Sequence, residues 1–151
     1  MRGEIDQEAE ILTQVLALKD DPVGFVFYAY PWGRPGTPFA DWNGPRPWQL
    51  EELEAIGEHI RRNRFAQDNG LPLEIWKSGY SSGRGPGKSA LFGMVAPWQL
   101  SPRIGSTSII AANTESQLRT RTFPEFSVWF GSAINSHWFA LETMRIVPAP
   151  W

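Results

Sequence analysis

The feature that most constrains the fold is a run of alternating glycines that ends in Lys-Ser, at residues 82–89. The run reads Ser-Gly-Arg-Gly-Pro-Gly-Lys-Ser and departs from the phosphate-loop template only at its first position, where Ser82 replaces glycine. Glycines permit positive φ angles, so consecutive N–H groups can point at one anion. Because such loops join a strand to a helix, the motif predicts a strand before Ser82 and a helix from Lys88.

Hydrophobic patterning indicates both of these neighbours and further elements after them. Alternation over residues 73–80 predicts the preceding strand, and periodic apolar residues from Lys88 to Ala96 predict the following helix. Residues 106–112 read as a second strand, and residues 138–147 as a last one. This order predicts an α/β fold, a P-loop NTPase-like parallel sheet flanked by helices, incomplete and preceded by a helical N-terminal segment.

Other segments carry helical signals. Apolar residues recur at three-to-four spacing over residues 4–18 and 48–64, which is typical of amphipathic helices. Asp21 and Pro22 suit the cap and first position of a short helix over residues 23–30, although the aromatic and β-branched residues there also favour a strand. Residues 114–121 begin a later helix, which Pro124 kinks or restarts.

Proline and glycine divide the chain into two parts of one domain. Residues 31–47 hold five prolines and three glycines, so we expect a rigid loop without regular structure. The N-terminal part, residues 1–47, comprises helices and this loop, and residues 48–151 form the partial P-loop core. With 151 residues, 42% of them apolar, the chain can bury one sizeable core.

Composition excludes several function classes. The formal net charge of -2 leaves no overall basic field for DNA or a membrane surface. The absence of cysteine rules out disulfides and thiolate chemistry and fits a reducing cytosol. The spacing of His59 and His137 does not suggest a metal site. Since no signal peptide and no apolar run of membrane length is visible, we expect a soluble cytoplasmic protein.

The residue types of the loop suit nucleotide chemistry. Lys88 can place a point charge on the β and γ phosphates, and the Ser89 hydroxyl can complete a Mg²⁺ shell, so ATP and Mg²⁺ are the expected cofactors. The predicted nucleotide-binding residues of the loop are Ser82, Gly83, Arg84, Gly85, Pro86, Gly87, Lys88 and Ser89. The alternative is a glycine-rich surface turn that contains Lys-Ser by chance.

Four stretches together resemble the large subunit of bacteriophage terminases, the ATPases that drive viral DNA into capsids. They read DPVGFVFYAYPWGRPGT, GPRPWQLEEL, SSGRGPGKSA and AANTESQLRTRTFPEFSVWF, and they follow the family's order at residues 21–37, 44–53, 81–90 and 111–130. The resemblance covers the N-terminal part of that ATPase domain. It implies a protein of the bacterial host cytoplasm that acts on phage DNA through the complete motor, with the terminase small subunit, the portal and further copies of itself as partners.

The resemblance also implies roles for individual residues. Gln49 would hydrogen-bond adenine and Trp48 would form a wall of its pocket, whereas the competing reading of Trp48 is core packing. Arg84 would reach the γ phosphate and act with Lys88 in catalysis, unless it is merely solvated.

The same resemblance suggests a role in coupling or in DNA contact for Arg119 and Arg121. Arginines at such positions more often form a solvated helix face, so the sequence leaves their role open.

One expected part of such a motor is not visible in the sequence. After Lys88 the acidic residues are Glu115, Glu125 and Glu142, and none belongs to an apolar strand that ends in Asp-Glu. Glu142 comes nearest, but Thr143 stands where a second carboxylate is wanted. The family's nuclease carboxylates are also not found.

Whether the chain is an enzyme therefore stays open, and we expect ATP binding without efficient hydrolysis. One hypothesis is the ATP-binding part of a packaging motor. The alternative is a truncated, non-catalytic remnant that acts as an interaction or regulatory protein. A third hypothesis is a small P-loop kinase. Such a kinase would need an arginine-rich lid, and only Arg119 and Arg121 suggest one.

Overall fold

The computed structural model describes residues 2–81, 83, 85 and 87–150. The chain is mostly helical, at 54%. In the described ranges the only paired strands are β1, Phe139–Glu142, and β2, Arg145–Pro148, which form one antiparallel hairpin. The prediction of a parallel, P-loop NTPase-like sheet flanked by helices is therefore wrong.

The segment expected to form the strand before the loop has no regular structure. Ile75 is 81% exposed, and the backbone of Glu74 is held by a side chain instead of a neighbouring strand. The N–H of Glu74 donates to Asn63 Oδ1 at 2.9 Å, and Asn63 Nδ2 donates to the Glu74 carbonyl at 2.7 Å. Alternation produces a strand only where another strand pairs with it, because strand propensity depends on cross-strand and face packing.

The second predicted strand, residues 106–112, fails for the same reason. It runs without regular structure and leaves Ile109 90% exposed. The predicted last strand, residues 138–147, becomes two short strands that reverse at Thr143 and Met144, where Met144 takes a left-handed φ of 59°. A single periodic stretch thus supplies both sides of the hairpin.

The helices agree much better with the sequence, and all the regions expected to be helical before the loop are confirmed. The helical elements are α1 (Arg2–Ala17), α2 (Pro22–Ala29), α3 (Pro47–Asp68), α4 (Lys88–Leu100), α5 (Glu115–Gln117), a π-helical turn (Leu118–Thr122), α6 (Phe123–Ser132) and a 3-10 turn (Ser136–Trp138). Pro124 lies in the first turn of α6, as expected of a restart. Pro97 does not end α4 but is fully buried inside it.

The start of α2 shows why local signals succeed. Asp21 Oδ1 accepts a hydrogen bond from the N–H of Gly24 at 2.9 Å, and Pro22 occupies the first helical position. Both interactions involve residues within three positions of each other, so they form without help from the remainder of the fold. The helical interpretation of residues 23–30 is confirmed over the competing strand.

Replacing Asp21 by alanine is expected to destabilise the protein by about 1 kcal/mol, because the N–H of Gly24 loses its acceptor. Urea unfolding followed by circular dichroism measures the change. Asp21→Asn keeps a capping oxygen and should stay within a few tenths of a kcal/mol of the wild type, as Asn and Asp rank about equally at this position. Equal losses in both variants would show that the cap contributes nothing.

The main core lies where α2 packs against α3 and α4, and α6 packs against α4. It takes fully buried side chains from each of the first four helices, and these are Val15, Phe25, Val26, Leu53, Leu91 and Met94. Trp129 of α6 closes the core over an aromatic group from the loop at residues 31–46, to which Trp32 and Phe39 belong. None of the described helices is both long and apolar enough to cross a bilayer.

Candidate functional site

The glycine-rich loop lies at the N-terminus of α4. Gly85 has a φ of 88°, and Gly87 caps α4 with a φ of 90°, so both take the left-handed backbone expected of an anion-binding turn. Lys88 is the first residue of α4. Ser82, Arg84 and Pro86 lie outside the described residues, and their predicted phosphate contacts and the catalytic role of Arg84 stay predictions.

Two side chains at the start of α3 hold this loop. Arg46 Nη1 donates to the Gly85 carbonyl at 3.0 Å, and Gln49 Nε2 donates to the Gly87 carbonyl at 2.7 Å. The Gly87 carbonyl also accepts a hydrogen bond from the N–H of Leu91 at 3.0 Å. One carbonyl thus joins the first turn of α4 to the side chain of Gln49.

Gln49 is buried, and its side chain bonds the protein, whereas a contact with adenine was expected of it. Its side chain is 3% exposed, and its Oε1 accepts from the Arg46 backbone N–H at 2.8 Å. Both ends of the amide are therefore engaged, one with the cap of α3 and the other with the loop. Gln49 lies beside the loop, and its hydrogen bonds hold backbone atoms of Arg46 and Gly87. The adenine contact that the terminase resemblance implies for Gln49 stays a prediction.

Trp48 lies in a different environment from its neighbour. Its ring is half-buried and packs 5.7 Å from the ring centroid of Tyr80, which contacts Phe92 of α4 at 6.1 Å. Burial raises the pKa of Tyr80 to about 12, so this phenol stays neutral at physiological pH. The aromatic group supports the chain just ahead of the loop, which is the packing alternative that the sequence left open for Trp48.

The two remaining described residues with predicted chemistry are the first two of α4. Lys88 is half-buried, and its Nζ donates to the Gly83 carbonyl at 3.3 Å, which folds the ammonium back over the loop. Ser89 is exposed in the first turn. No group of three or more His, Asp or Glu side chains within the described ranges could hold a metal ion.

A cavity of about 290 Å³ opens beside the loop, and we call it the loop cavity. Gly87, Gln49 and Arg46 form its loop side, and the guanidinium of Arg46 lies 5.3 Å from the ring centroid of Trp42. Glu125 of α6 lines the same cavity. Trp48 is not among the described residues that line it.

Sequence reasoning missed three side chains of this site: Trp42, Arg46 and Glu125. Arg46 could have been noticed because it lies three residues before Gln49 at a helix start. Nothing in the sequence around Glu125 connects it with a loop almost forty positions earlier.

Arg119 and Arg121, the predicted coupling or DNA residues, do not line the loop cavity. Both are exposed on the π-helical turn, and Arg119 Nη2 pairs with Glu115 Oε1 at 2.7 Å, four residues earlier. An exposed pair at this spacing contributes little stability. Their role in DNA contact stays a prediction.

A larger cavity, about 710 Å³, lies between α4, α6 and the hairpin. Its walls are mostly apolar. Arg103 donates from Nη2 to the Lys19 carbonyl and has a buried Nη1 without a hydrogen-bond partner in the described part of the chain, and Arg145 Nη2 donates to Glu142 Oε2 at 2.6 Å. Both cavities thus combine apolar walls with polar groups. We take the smaller one as the candidate site because Gly87 of the glycine-rich loop lines it.

Comparison of the chain with protein-family models, curated proteins and solved structures gave no significant match. The site is therefore interpreted from its own residues and geometry. The terminase resemblance stays a prediction from the four sequence stretches.

Proposed function

We propose that this chain binds ATP, holding the triphosphate in the loop at residues 82–89, as the ATP-binding part of a phage DNA-packaging motor. The observation that carries the proposal is the left-handed backbone at Gly85 and Gly87, directly before a helix that begins with Lys88. Arg46 and Gln49 hold the carbonyls of Gly85 and Gly87, so the backbone at these two glycines is supported without a ligand. Backbone that is ordered before binding avoids part of the ordering cost.

Three features of the loop favour a phosphate group. The N-terminus of α4 carries the partial positive charge of a helix start, which favours an anion. The ammonium of Lys88 makes a long, exposed hydrogen bond to the neutral Gly83 carbonyl, and it can exchange this for a stronger charge-assisted bond to a phosphate oxygen. The exposed hydroxyl of Ser89 fits a Mg²⁺ ion that takes its remaining ligands from phosphate and water, and such an ion would neutralise charge on the triphosphate.

The packaging role is supported by the four terminase-like stretches, and the acidic net charge leaves DNA contact to other parts of a motor. An alternative is supported by the absence of an adjacent pair of carboxylates after Lys88 in the sequence. In that case the chain binds ATP without turning it over and acts as an interaction or regulatory protein. Measuring phosphate release with Mg²⁺-ATP and double-stranded DNA separates the two.

Lys88→Ala is expected to weaken ATP binding tenfold to about a hundredfold, since a hydrogen bond to a charged group contributes roughly 1.5–3 kcal/mol. Isothermal titration calorimetry with Mg²⁺-ATP measures the two dissociation constants. The melting temperature of each variant, followed by circular dichroism, shows whether it is folded at the temperature of the titration.

Lys77→Ala is the matched control. It removes the same charge from an exposed position outside the loop and should leave the affinity unchanged. Equal losses in the two variants would indicate a general charge effect, and equal affinities of the wild type and Lys88→Ala would remove the site assignment. A wild type that does not bind Mg²⁺-ATP would refute the proposal itself.

A further inference from the structure

We infer that Glu125 selects the base of the bound nucleotide: its carboxylate accepts a hydrogen bond from the exocyclic amine of adenine in the loop cavity. The inference rests on the proposed ATP binding and adds to it the residue that reads the base.

The packing of α6 on α4 brings Glu125 to the loop. Gly93 of α4 lies directly under Trp129, so closely that a Cβ at Gly93 would overlap the indole ring. One turn back along α6 from Trp129 is Glu125, and one turn back along α4 from Gly93 is Ala90; both line the loop cavity with Gly87. The contact between Gly93 and Trp129 therefore places Glu125 at the wall of a cavity that Gly87 of the glycine loop also lines.

The carboxylate has a fixed orientation. Trp129 Nε1 donates to Glu125 Oε1 at 3.1 Å, and Trp129 is itself well buried, since only 7% of its surface is exposed. The other oxygen, Oε2, has no hydrogen-bond partner in the described part of the chain. One acceptor of Glu125 is thus used by the protein, and one remains for a ligand in the cavity.

The chemistry of this acceptor favours a base over a phosphate. A carboxylate accepts hydrogen bonds but does not donate them, and it repels the negative charge of a phosphate. Phosphates are drawn instead to the N-terminus of α4 and Lys88. The aromatic rings of Trp32, Trp42 and Phe39 line the loop cavity, and they suit the flat face of a purine.

The engaged amide of Gln49 supports the same assignment. Because Gln49 bonds the cap of α3 and the carbonyl of Gly87, its amide is not available to the adenine edge without breaking the support of the loop. Glu125 is the cavity-lining side chain with an acceptor to spare. The exocyclic amine of adenine donates a hydrogen bond to such an acceptor. The 6-keto oxygen of inosine is itself an acceptor with a partial negative charge, so the carboxylate would repel it.

The test compares ATP with ITP, which differ at this group and share the same triphosphate. In calorimetry with Mg²⁺, the wild type is expected to bind ATP about tenfold more tightly than ITP, the size of one charge-assisted hydrogen bond. Glu125→Gln should bring the ratio close to one, because the amide can turn its NH₂ toward the inosine oxygen. Gln retains an oxygen for the indole of Trp129, so the variant is expected to fold.

Two controls complete the design. Glu142→Gln neutralises an exposed carboxylate on the hairpin and should keep the ATP preference, whereas Lys88→Ala should weaken both nucleotides by the same factor. Equal wild-type affinity for ATP and ITP, an unchanged ratio in Glu125→Gln, or tighter binding of GTP than of ATP would overturn the role of Glu125 alone. Absence of binding to any of the nucleotides would overturn the proposed function as well.

Discussion

Alanine at position 93 is expected to lower the free energy of unfolding by about 3 kcal/mol, the upper part of the range for overpacking a core. The added methyl group would overlap the ring of Trp129, well inside any van der Waals contact. Trp129 cannot move aside easily, because its ring contacts Tyr30 at 4.9 Å and Phe39 at 5.0 Å. Helices α4 and α6 would have to separate, which would loosen the main core and the wall of the loop cavity.

Urea unfolding and thermal melting followed by circular dichroism measure the effect, and a loss of this size corresponds to roughly 10 °C in the melting temperature. Gly131→Ala is the matched control, since Gly131 lies in α6 with nothing within 4 Å of the position that a Cβ would take. Alanine there should stabilise the protein by about 0.5–1 kcal/mol through helix propensity. Destabilisations of similar size at both positions would contradict the close packing of α4 on α6.

Alanine at position 87 is expected to cost about 2–4 kcal/mol, the sum of a left-handed backbone penalty and the loss of a buried hydrogen bond. Gly87 has a φ of 90°, and a Cβ there would lie 2.7 Å from Gln49 Nε2. The amide of Gln49 must then leave the Gly87 carbonyl, which removes one of the two anchors of the loop. We expect the affinity for Mg²⁺-ATP to fall at least about tenfold along with stability.

Gly85→Ala separates the two causes. Gly85 has nearly the same φ, 88°, but nothing lies within 4 Å of its Cβ position, so alanine there should carry only the backbone penalty of about 1–2 kcal/mol. Chemical denaturation gives the difference between the variants, which reports the contribution of Gln49. If Gly85→Ala and Gly87→Ala lose the same stability, the bond from Gln49 to the loop is not a support.

The paired variants also distinguish stability from function. Gly93→Ala displaces Trp129, which holds Glu125, so it should lower the preference for ATP over ITP and leave the backbone of the phosphate loop unchanged. Gly87→Ala changes the loop itself, so its affinity should fall even at temperatures where the variant is fully folded. Titration calorimetry at a temperature well below both melting points makes this comparison.

Elements whose signals are local were predictable from the sequence. The apolar spacing of α1 and α3 defines a helix face whatever it packs against, and Asp21 with Pro22 starts α2 through contacts within one turn. The glycines of the loop were likewise recognisable, because residues able to adopt a positive φ at Gly85 and Gly87 are few.

The parallel sheet failed because a strand needs a partner. Residues 73–80 alternate between apolar and polar side chains, and residues 106–112 contain Ile109 and Ile110, but these properties form a strand only where a second strand can pair with the segment. The tertiary structure assigned the backbone of Glu74 to the side chain of Asn63 instead. No local sequence pattern shows whether two segments that are far apart in sequence come close enough to pair as strands.

The candidate site divides in the same way. The helices and the glycine loop with Lys88 at the start of α4 could be predicted from the sequence, since they depend on neighbouring residues. The bond from Gln49 to the loop backbone and the position of Glu125 in the loop cavity depend on tertiary packing. The first follows from the packing of α3 beside the loop, and the second follows from the packing of Trp129 on Gly93. These contacts join residues about forty positions apart through complementary shape, which no single stretch of sequence shows.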